Sequence, residues 1–332
     1  MRVAPPALAL SAAIFAAAAC GSRTAPSGSP SDAGADTPPD SPPDAAEEPD
    51  AVDSGRCEAG ALCDDGRYCD VGTCDPVQGC VFTSRSCDDG AACTRDTCDE
   101  SKRACEHAPD DALCPSDQLC SAIRGCASFV YSIAADGNLY EVDVPSGQVV
   151  DVGTPSASTA NIALEQDGTL VLTDSYILYT LDRGDATTTA IASIMPLFQY
   201  NALGSQPNGP LLAGTAESPF VYDVDPMTAA ATPLTGVPAG YQSSGDITSG
   251  SGTARYMTVT SSTAQTTDSL FRTDVDSIVG DTGFPCVWGL ATLGSTVYGL
   301  TCHGLLISID TTSGAGTMLA QSQPAFLGAA GR

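Results

Sequence analysis

Five copies of one short phrase run through the C-terminal part of this 332-residue chain: "LYEVD" ending at Asp143, "LYTLD" at Asp182, "VYDVD" at Asp225, "LFRTD" at Asp274 and "LISID" at Asp310. Successive copies end 39, 43, 49 and 36 residues apart. A period of about 40, made of short Val, Ile, Thr and Tyr alternations between Gly-rich turns, predicts propeller blades. The fifth copy spells out four strands, "VWGLATL", "STVYGLTCHG", "LLISIDTTSG" and "GTMLAQ". The second copy matches it strand for strand with "NIALEQDG", "TLVLTDS", "ILYTLDRG" and "TTTAIAS". The first copy begins at "SFVYSIAADG", the counterpart of a second strand, and lacks an innermost one. "AFLGAAGR", residues 325–332, has the pattern of that missing strand, and a ring closed by it leaves no unpaired sheet edge at the seam. The wide interval before Asp274 holds one Gly/Ser/Thr-rich insertion rather than a sixth blade. The expected fold is all-β: a five-bladed β-propeller over residues 127–332, closed by the C-terminal strand.

Residues 57–126 form a different kind of module. They carry Cys57, Cys63, Cys69, Cys74, Cys80, Cys87, Cys93, Cys98, Cys105, Cys114, Cys120 and Cys126, twelve of the fifteen cysteines. "CDDGRYCDVGTCDPVQGC" from Cys63 and "CDDGAACTRDTCDESKRAC" from Cys87 are copies of a C-x5-C-x4-C-x5/6-C unit, and "CPSDQLCSAIRGC" from Cys114 is a partial third. Large apolar side chains are too few here for a core, so cross-links have to supply the stability. Six disulfides are expected, with the pairing open. Zinc is disfavoured, since C-x2-C knuckles are missing and His107 is the one nearby histidine. The pairs Asp64-Asp65 and Asp88-Asp89, each followed by Gly, suit side-chain-to-backbone turns and also suit a structural Ca2+. The turn is the preferred reading. The stretch Cys87–Asp99 resembles the C-D-D-G-x-x-C-T-x-D-x-C-D repeats of surface proteins from myxobacteria and related delta-proteobacteria. That resemblance implies an extracellular stalk or adhesion module and no particular activity.

The first residues, "MRVAPPALALSAAIFAAAACGS", place Arg2 before an apolar run from Val3 to Ala19. The run is short and Ala-rich, which favours an export signal over 1–19 rather than a spanning helix. "AAAC" followed by Gly21 resembles the lipobox of bacterial lipoproteins, although Ala17 stands where that family usually has Leu. The resemblance implies that Cys20 is diacylated and becomes the first residue of the mature chain. Gly21, where inner-membrane retention typically uses Asp, implies the outer membrane. The other reading is an ordinary secretory signal that leaves Cys20 a free thiol. Setting Cys20 aside leaves an even number of cysteines in each folded part, as disulfides in an oxidising compartment require. Residues 20–56 hold almost no large apolar side chain, and their prolines and mutually repelling acids predict a disordered, extended tether with a reach on the order of 100 Å.

Charge narrows the partners. Forty acidic against 13 basic residues give −27, which repels nucleic acid and anionic lipid head groups. The expected partners are the membrane, through the lipid, and an extracellular or periplasmic protein or glycan. His107 and His303 are the only histidines and no G-x-S-x-G elbow occurs, so a Ser-His-Asp triad has no support. Cys286 and Cys302 flank a hairpin turn at Gly294-Ser295 and are expected to face each other closely enough to bond. At equivalent points of the innermost strands stand Asn161, Asn201 and Asp246, oxygen donors that suit a cation or sugar over the channel or, alternatively, the backbone of a neighbouring blade. "YNALGSQPNGPLLAG" resembles an inner-strand phrase of bacterial surface propellers, implying a fold only. Trp288, the sole tryptophan, is expected between blades. Together these features suggest a lipid-anchored, non-catalytic surface protein displaying a propeller for binding or scaffolding. The alternative is a glycosidase or metal-dependent lactonase working at the channel, with Glu165 and Asp246 as the nearest carboxylates.

Overall fold

The structure, a computed structural model, describes residues 61, 63–207, 209–261, 266–321 and 324–332. The export signal, Cys20, the tether and Cys57 lie outside the described residues. Among the described residues no helix is long and apolar enough to cross a membrane.

Three hairpins come first: β1 (Asp70–Asp75) with β2 (Gly79–Ser84), β3 (Thr94–Asp99) with β4 (Ala104–Pro109), and β5 (Leu119–Ser121) with β6 (Gly125–Ala127). A 3-10 turn at Asp111–Leu113 joins the second hairpin to the third. The paired aspartates make the expected turns, with Asp64 and Asp65 accepting the amides of Gly66 and Arg67 at 2.8 and 3.0 Å. Asp88 and Asp89 do the same for Gly90 and Ala91.

The disulfides follow two rules. The first cysteine of each unit bonds the last, in Cys63–Cys80, Cys87–Cys105 and Cys114–Cys126. A second set, Cys69–Cys98 and Cys93–Cys120, joins each hairpin to the next. Cys74 is disulfide-bonded as well. The cysteines that face each other across a hairpin, such as Cys98 and Cys105, therefore bond elsewhere. Successive units are chained like links, which compensates for the small apolar core.

The propeller has five four-stranded antiparallel blades. Its second blade is β10 (Asn161–Leu164), β11 (Leu170–Thr173), β12 (Ile177–Leu181) and β13 (Thr188–Ser193), following β7 (Phe129–Ala134), β8 (Leu139–Asp143) and β9 (Val149–Gly153) of the first. The third is β14 (Tyr200–Gly204), β15 (Leu211–Thr215), β16 (Phe220–Val224) and β17 (Ala231–Gly236). The fourth is β18 (Tyr241–Ser249), β19 (Arg255–Ser261), β20 (Ser269–Arg272) and β21 (Ser277–Asp281). The fifth is β22 (Val287–Leu293), β23 (Thr296–Thr301), β24 (Leu305–Ile309) and β25 (Gly316–Gln321). Finally β26 (Phe326–Ala330) returns to β7, with Phe326 opposite Ala134 and Ala330 opposite Tyr131, and completes the first blade. Five blades closed by the C-terminal strand are thus what the repeat predicts and what the chain forms.

The repeated phrase is the third strand of each blade, and its final aspartate starts the turn to the outer strand. Asp182, Asp225 and Asp310 each accept amides two and three residues on, for example Met227 and Thr228 at 2.8 and 2.9 Å from Asp225. A side-chain acceptor at that point satisfies the turn amides locally, which accounts for the Asp that ends these three phrases. In every blade the register shifts by one residue between the third and fourth strands. Such a bulge twists the exposed outer edge and blunts it against pairing with another chain.

Apolar faces are buried between blades. Phe129, Tyr131, Leu164, Leu172, Leu300 and Phe326 belong to one cluster spanning the seam, each worth about 1.5–3 kcal/mol of burial at full depth. Leu119 of the third hairpin joins this cluster, so the cysteine module is fastened to the propeller. The fastening is also ionic. Arg183, just after the second phrase, donates to both Asp111 oxygens at 3.1 and 2.7 Å, to the Cys120 carbonyl at 2.9 Å and to the Tyr131 hydroxyl at 3.0 Å. Both partners of this pair are buried. Arg124 of the third hairpin reaches Glu141 at 2.8 Å and also pairs with Asp143, which gives the acidic middle residue of the first phrase a partner.

Candidate functional site

The innermost strands β10, β14, β18, β22 and β26 surround the axis, and β26 approaches β14 and β18 across it. Close approach needs small residues. A Cβ added at Gly328 would lie 2.4 Å from Asn161 Oδ1, and one at Gly245 would lie 2.5 Å from the Cα of Trp288.

The three polar residues picked from these strands have different fates. Asp246 is fully buried. Its Oδ1 accepts the amides of Leu203 and Ile247 at 3.3 and 2.8 Å, and its Oδ2 those of Leu290 and Ala329, both at 3.0 Å. One carboxyl therefore ties together the inner strands of four blades. Burial pushes its pKa well above the usual carboxylate range, and the four N–H donors pull against that shift. Asn161 is equally buried, accepting the Ile162 amide at 2.7 Å and donating to the Asn201 carbonyl at 3.0 Å. Asn201 in turn donates through Nδ2 to the Ser243 carbonyl at 3.4 Å. Asn161 and Asp246 thus bridge blades, whereas Asn201 keeps a second function open: its Oδ1 is buried without a hydrogen-bond partner among the described residues.

Asn201 lines a depression of about 390 Å³ at the end of the ring where the inner strands begin. The rest of the lining is Ala216, Gln242, Ser243, Ser244, Thr260, Thr266, Asp268, Cys286 and Trp288. The Ser243 hydroxyl is a second orphan: the residue is 3 % exposed and its Oγ has no partner among the described residues. It sits where β18 bulges, between Ser243 and Ile247, so that the strand makes room for the Asp246 carboxyl at the axis. Asp268 is 4 % exposed and accepts the Val287 amide at 2.7 Å. Burial raises its carboxyl pKa, while hydrogen bonds from Ser244 and Val287 lower it. Trp288 is half-buried on the wall, with its backbone packed on Gly245, rather than enclosed between blades. Asp268 has no conspicuous sequence signal. Counted back from the bulge in each third strand, it occupies the place of Tyr176 in the second blade and not that of Asp174, which serves a local turn by accepting the Tyr176 and Ile177 amides. Only the fold shows Asp268 turned to the next blade.

Two further groups lie outside this depression or at its rim. Cys286 and Cys302 are bonded, and His303 Nδ1 is 3.4 Å from both sulfurs. Asp89, Asp96 and His107 bring possible metal-ligand atoms within 4.8 Å on the second hairpin. There His107 Nδ1 meets Asp96 at 2.9 Å, and Asp89 is held by the Ala91 amide and the Thr94 hydroxyl. Glu165 has its carboxyl pKa raised by burial and by Asp167, and it does not line the depression.

No family model and no curated protein matches this chain. Among solved structures it is similar over part of its length to hydrazine synthase of Kuenenia stuttgartiensis, with 18% identity, 48% of this chain and 47% of that chain covered, and a TM-score of 0.35. For U3-55K the figures are 12% identity, 57% and 59% coverage and a TM-score of 0.36. A symmetrical protein described for its de novo evolutionary emergence gives 14%, 60% and 95% coverage, and 0.41. The chain spans about half the length of the first of these and 59% of the second.

Proposed function

We propose that this chain is an exported lipoprotein that displays a disulfide-braced propeller for binding, without catalysis. In this reading residues 1–19 direct export and Cys20 carries the lipid at the outer membrane. Residues 20–56 form the tether, and the propeller meets an extracellular or periplasmic ligand. The disulfides support an oxidising compartment on the far side of the inner membrane. The observation that carries the binding role is the depression lined by Asn201 and Ser243, whose two buried oxygens have no partner among the described residues. Burying a polar group unpaired costs about 1–3 kcal/mol, so a complementary ligand recovers what the free fold forgoes. Asp268 is the one carboxylate of the described lining, and glycoside hydrolysis needs two carboxyl groups about 5–9.5 Å apart, which favours binding over turnover.

The test is fractionation of cells making the wild-type chain or Cys20→Ser. The wild type should partition into the detergent phase and be cut by protease added to intact cells, and Cys20→Ser should be released in soluble form. Identical behaviour of the two would contradict the proposal.

A further inference from the structure

We infer that the depression beside Trp288 takes a neutral carbohydrate, bound between the orphan oxygens of Asn201 and Ser243, the Asp268 carboxyl and the tryptophan ring. This inference rests on the reading of the propeller as a binding module and names the chemistry of its ligand. Three features of the lining select that chemistry.

The first is the pairing demand. Asn201 Oδ1 only accepts hydrogen bonds, whereas the Ser243 hydroxyl both donates and accepts. A bare cation satisfies an acceptor and cannot receive the serine proton. Adjacent sugar hydroxyls donate to one site and accept from the next, and Gln242, Ser244, Thr260 and Thr266 extend the same mixed set around the rim. The second is charge. Among the described lining residues there is no Lys, Arg or His, and the carboxyl of Asp268 together with a net charge of −27 repels phosphorylated, sulfated or uronic ligands. The third is the apolar platform. Trp288 is the sole tryptophan and is half-buried on this wall. An indole beside polar groups suits the C–H face of a pyranose. The volume of about 390 Å³ falls in the range of about 300–1,000 Å³ usual for small-molecule sites.

Because Trp288 is the only indole, its fluorescence reports this site alone. The full-length protein, purified in a detergent without a sugar head group, would be titrated with maltose, cellobiose, mannobiose, galactobiose and N,N′-diacetylchitobiose, and separately with CaCl2. At least one of the disaccharides should give a saturable change in emission. In Ser243→Ala, which loses an unpartnered hydroxyl and should melt like the wild type, the same sugar should bind roughly five- to tenfold more weakly, the worth of one hydrogen bond. Asn201→Ala should weaken it similarly. No response to any sugar, a response to Ca2+ alone, or a sugar affinity unchanged in Ser243→Ala would each overturn the inference. None of these results alters whether Cys20 is lipidated, so failure here is distinguishable from failure of the export reading.

Discussion

The Asp246 carboxyl accepts the backbone amide of Ala329, 83 residues away, at 3.0 Å, and in doing so holds the seam strand against the inner strands of three other blades. Asp246→Ala leaves the buried amides of Leu203, Leu290 and Ala329 without this acceptor, at about 1–3 kcal/mol each. Urea unfolding should show a loss of at least about 3 kcal/mol. Asp246→Asn keeps one accepting oxygen and should fall between the variant and the wild type. An Asp246→Ala protein as stable as the wild type would show that the axis is held by other means.

Asp111 and Arg183 fasten the cysteine module to the propeller through a buried two-pronged pair. Removing one partner strands the other charge, so Asp111→Ala should cost about 3–5 kcal/mol. The double change Asp111→Leu with Arg183→Met removes both charges and should recover much of that loss. If the double variant is as unstable as the single one, the pair contributes through geometry that apolar groups cannot replace.

Burial sorts the disulfides by their access to reductant. Cys93 and Cys120 are almost wholly buried, whereas Cys286 and Cys302 are half-exposed at the rim of the depression. Exchange needs a thiolate to reach a sulfur, so brief mild reduction followed by alkylation should label Cys286 and Cys302 before Cys93 and Cys120. Mass mapping that finds Cys93 and Cys120 modified earlier would mean that the module opens more readily than its packing implies.

Stability should peak in mild acid. Burial raises the folded-state pKa of Asp268 and of Glu141, the latter against the pull of Ser121 and Arg124. A raised folded pKa gives stability that is complete below the unfolded values of 3.8 and 4.5 and is lost as pH climbs through the folded pKa. Asp225 and Asp310 work in the opposite sense, their pKa values lowered by turn amides and, for Asp310, first by the Thr312 hydroxyl. Their contribution is present above 3.8 and disappears as pH falls through the lowered folded values. Melting temperature should therefore rise as pH falls through the raised folded values of Asp268 and Glu141, which lie above 3.8 and 4.5, and drop once pH passes below 3.8 through the lowered values of Asp225 and Asp310. Asp268→Asn, which can still accept the Val287 amide, should flatten the rise. A monotonic fall in melting temperature from pH 7.5 downward would contradict this balance.

The architecture was legible because its signals are local and repeated. Each phrase ends in an aspartate, which in the second, third and fifth makes its own turn, and "AFLGAAGR" carries the small-residue pattern of an inner strand, so blade count and closure follow from the chain alone. Disulfide pairing was not legible, because Cys69 and Cys93 reach forward to the following hairpin instead of across their own. The site was only partly so. Asn201 was visible as an inner-strand oxygen donor, while Asp246, chosen on the same ground, is committed to backbone amides. Asp268 and Ser243 acquire meaning only when a bulge and a neighbouring blade bring them to one surface. Docking of the third hairpin was likewise hidden, since Arg183 and Asp111 are 72 residues apart and neither sits in a motif.

The proposed anchoring at Cys20 is tested most directly by the mass of the mature N-terminus. Protein extracted from cell membranes, digested and analysed by mass spectrometry should yield an N-terminal peptide that begins at Cys20 and carries a diacylglyceryl group. A peptide beginning at Met1, or an unmodified Cys20, would contradict it.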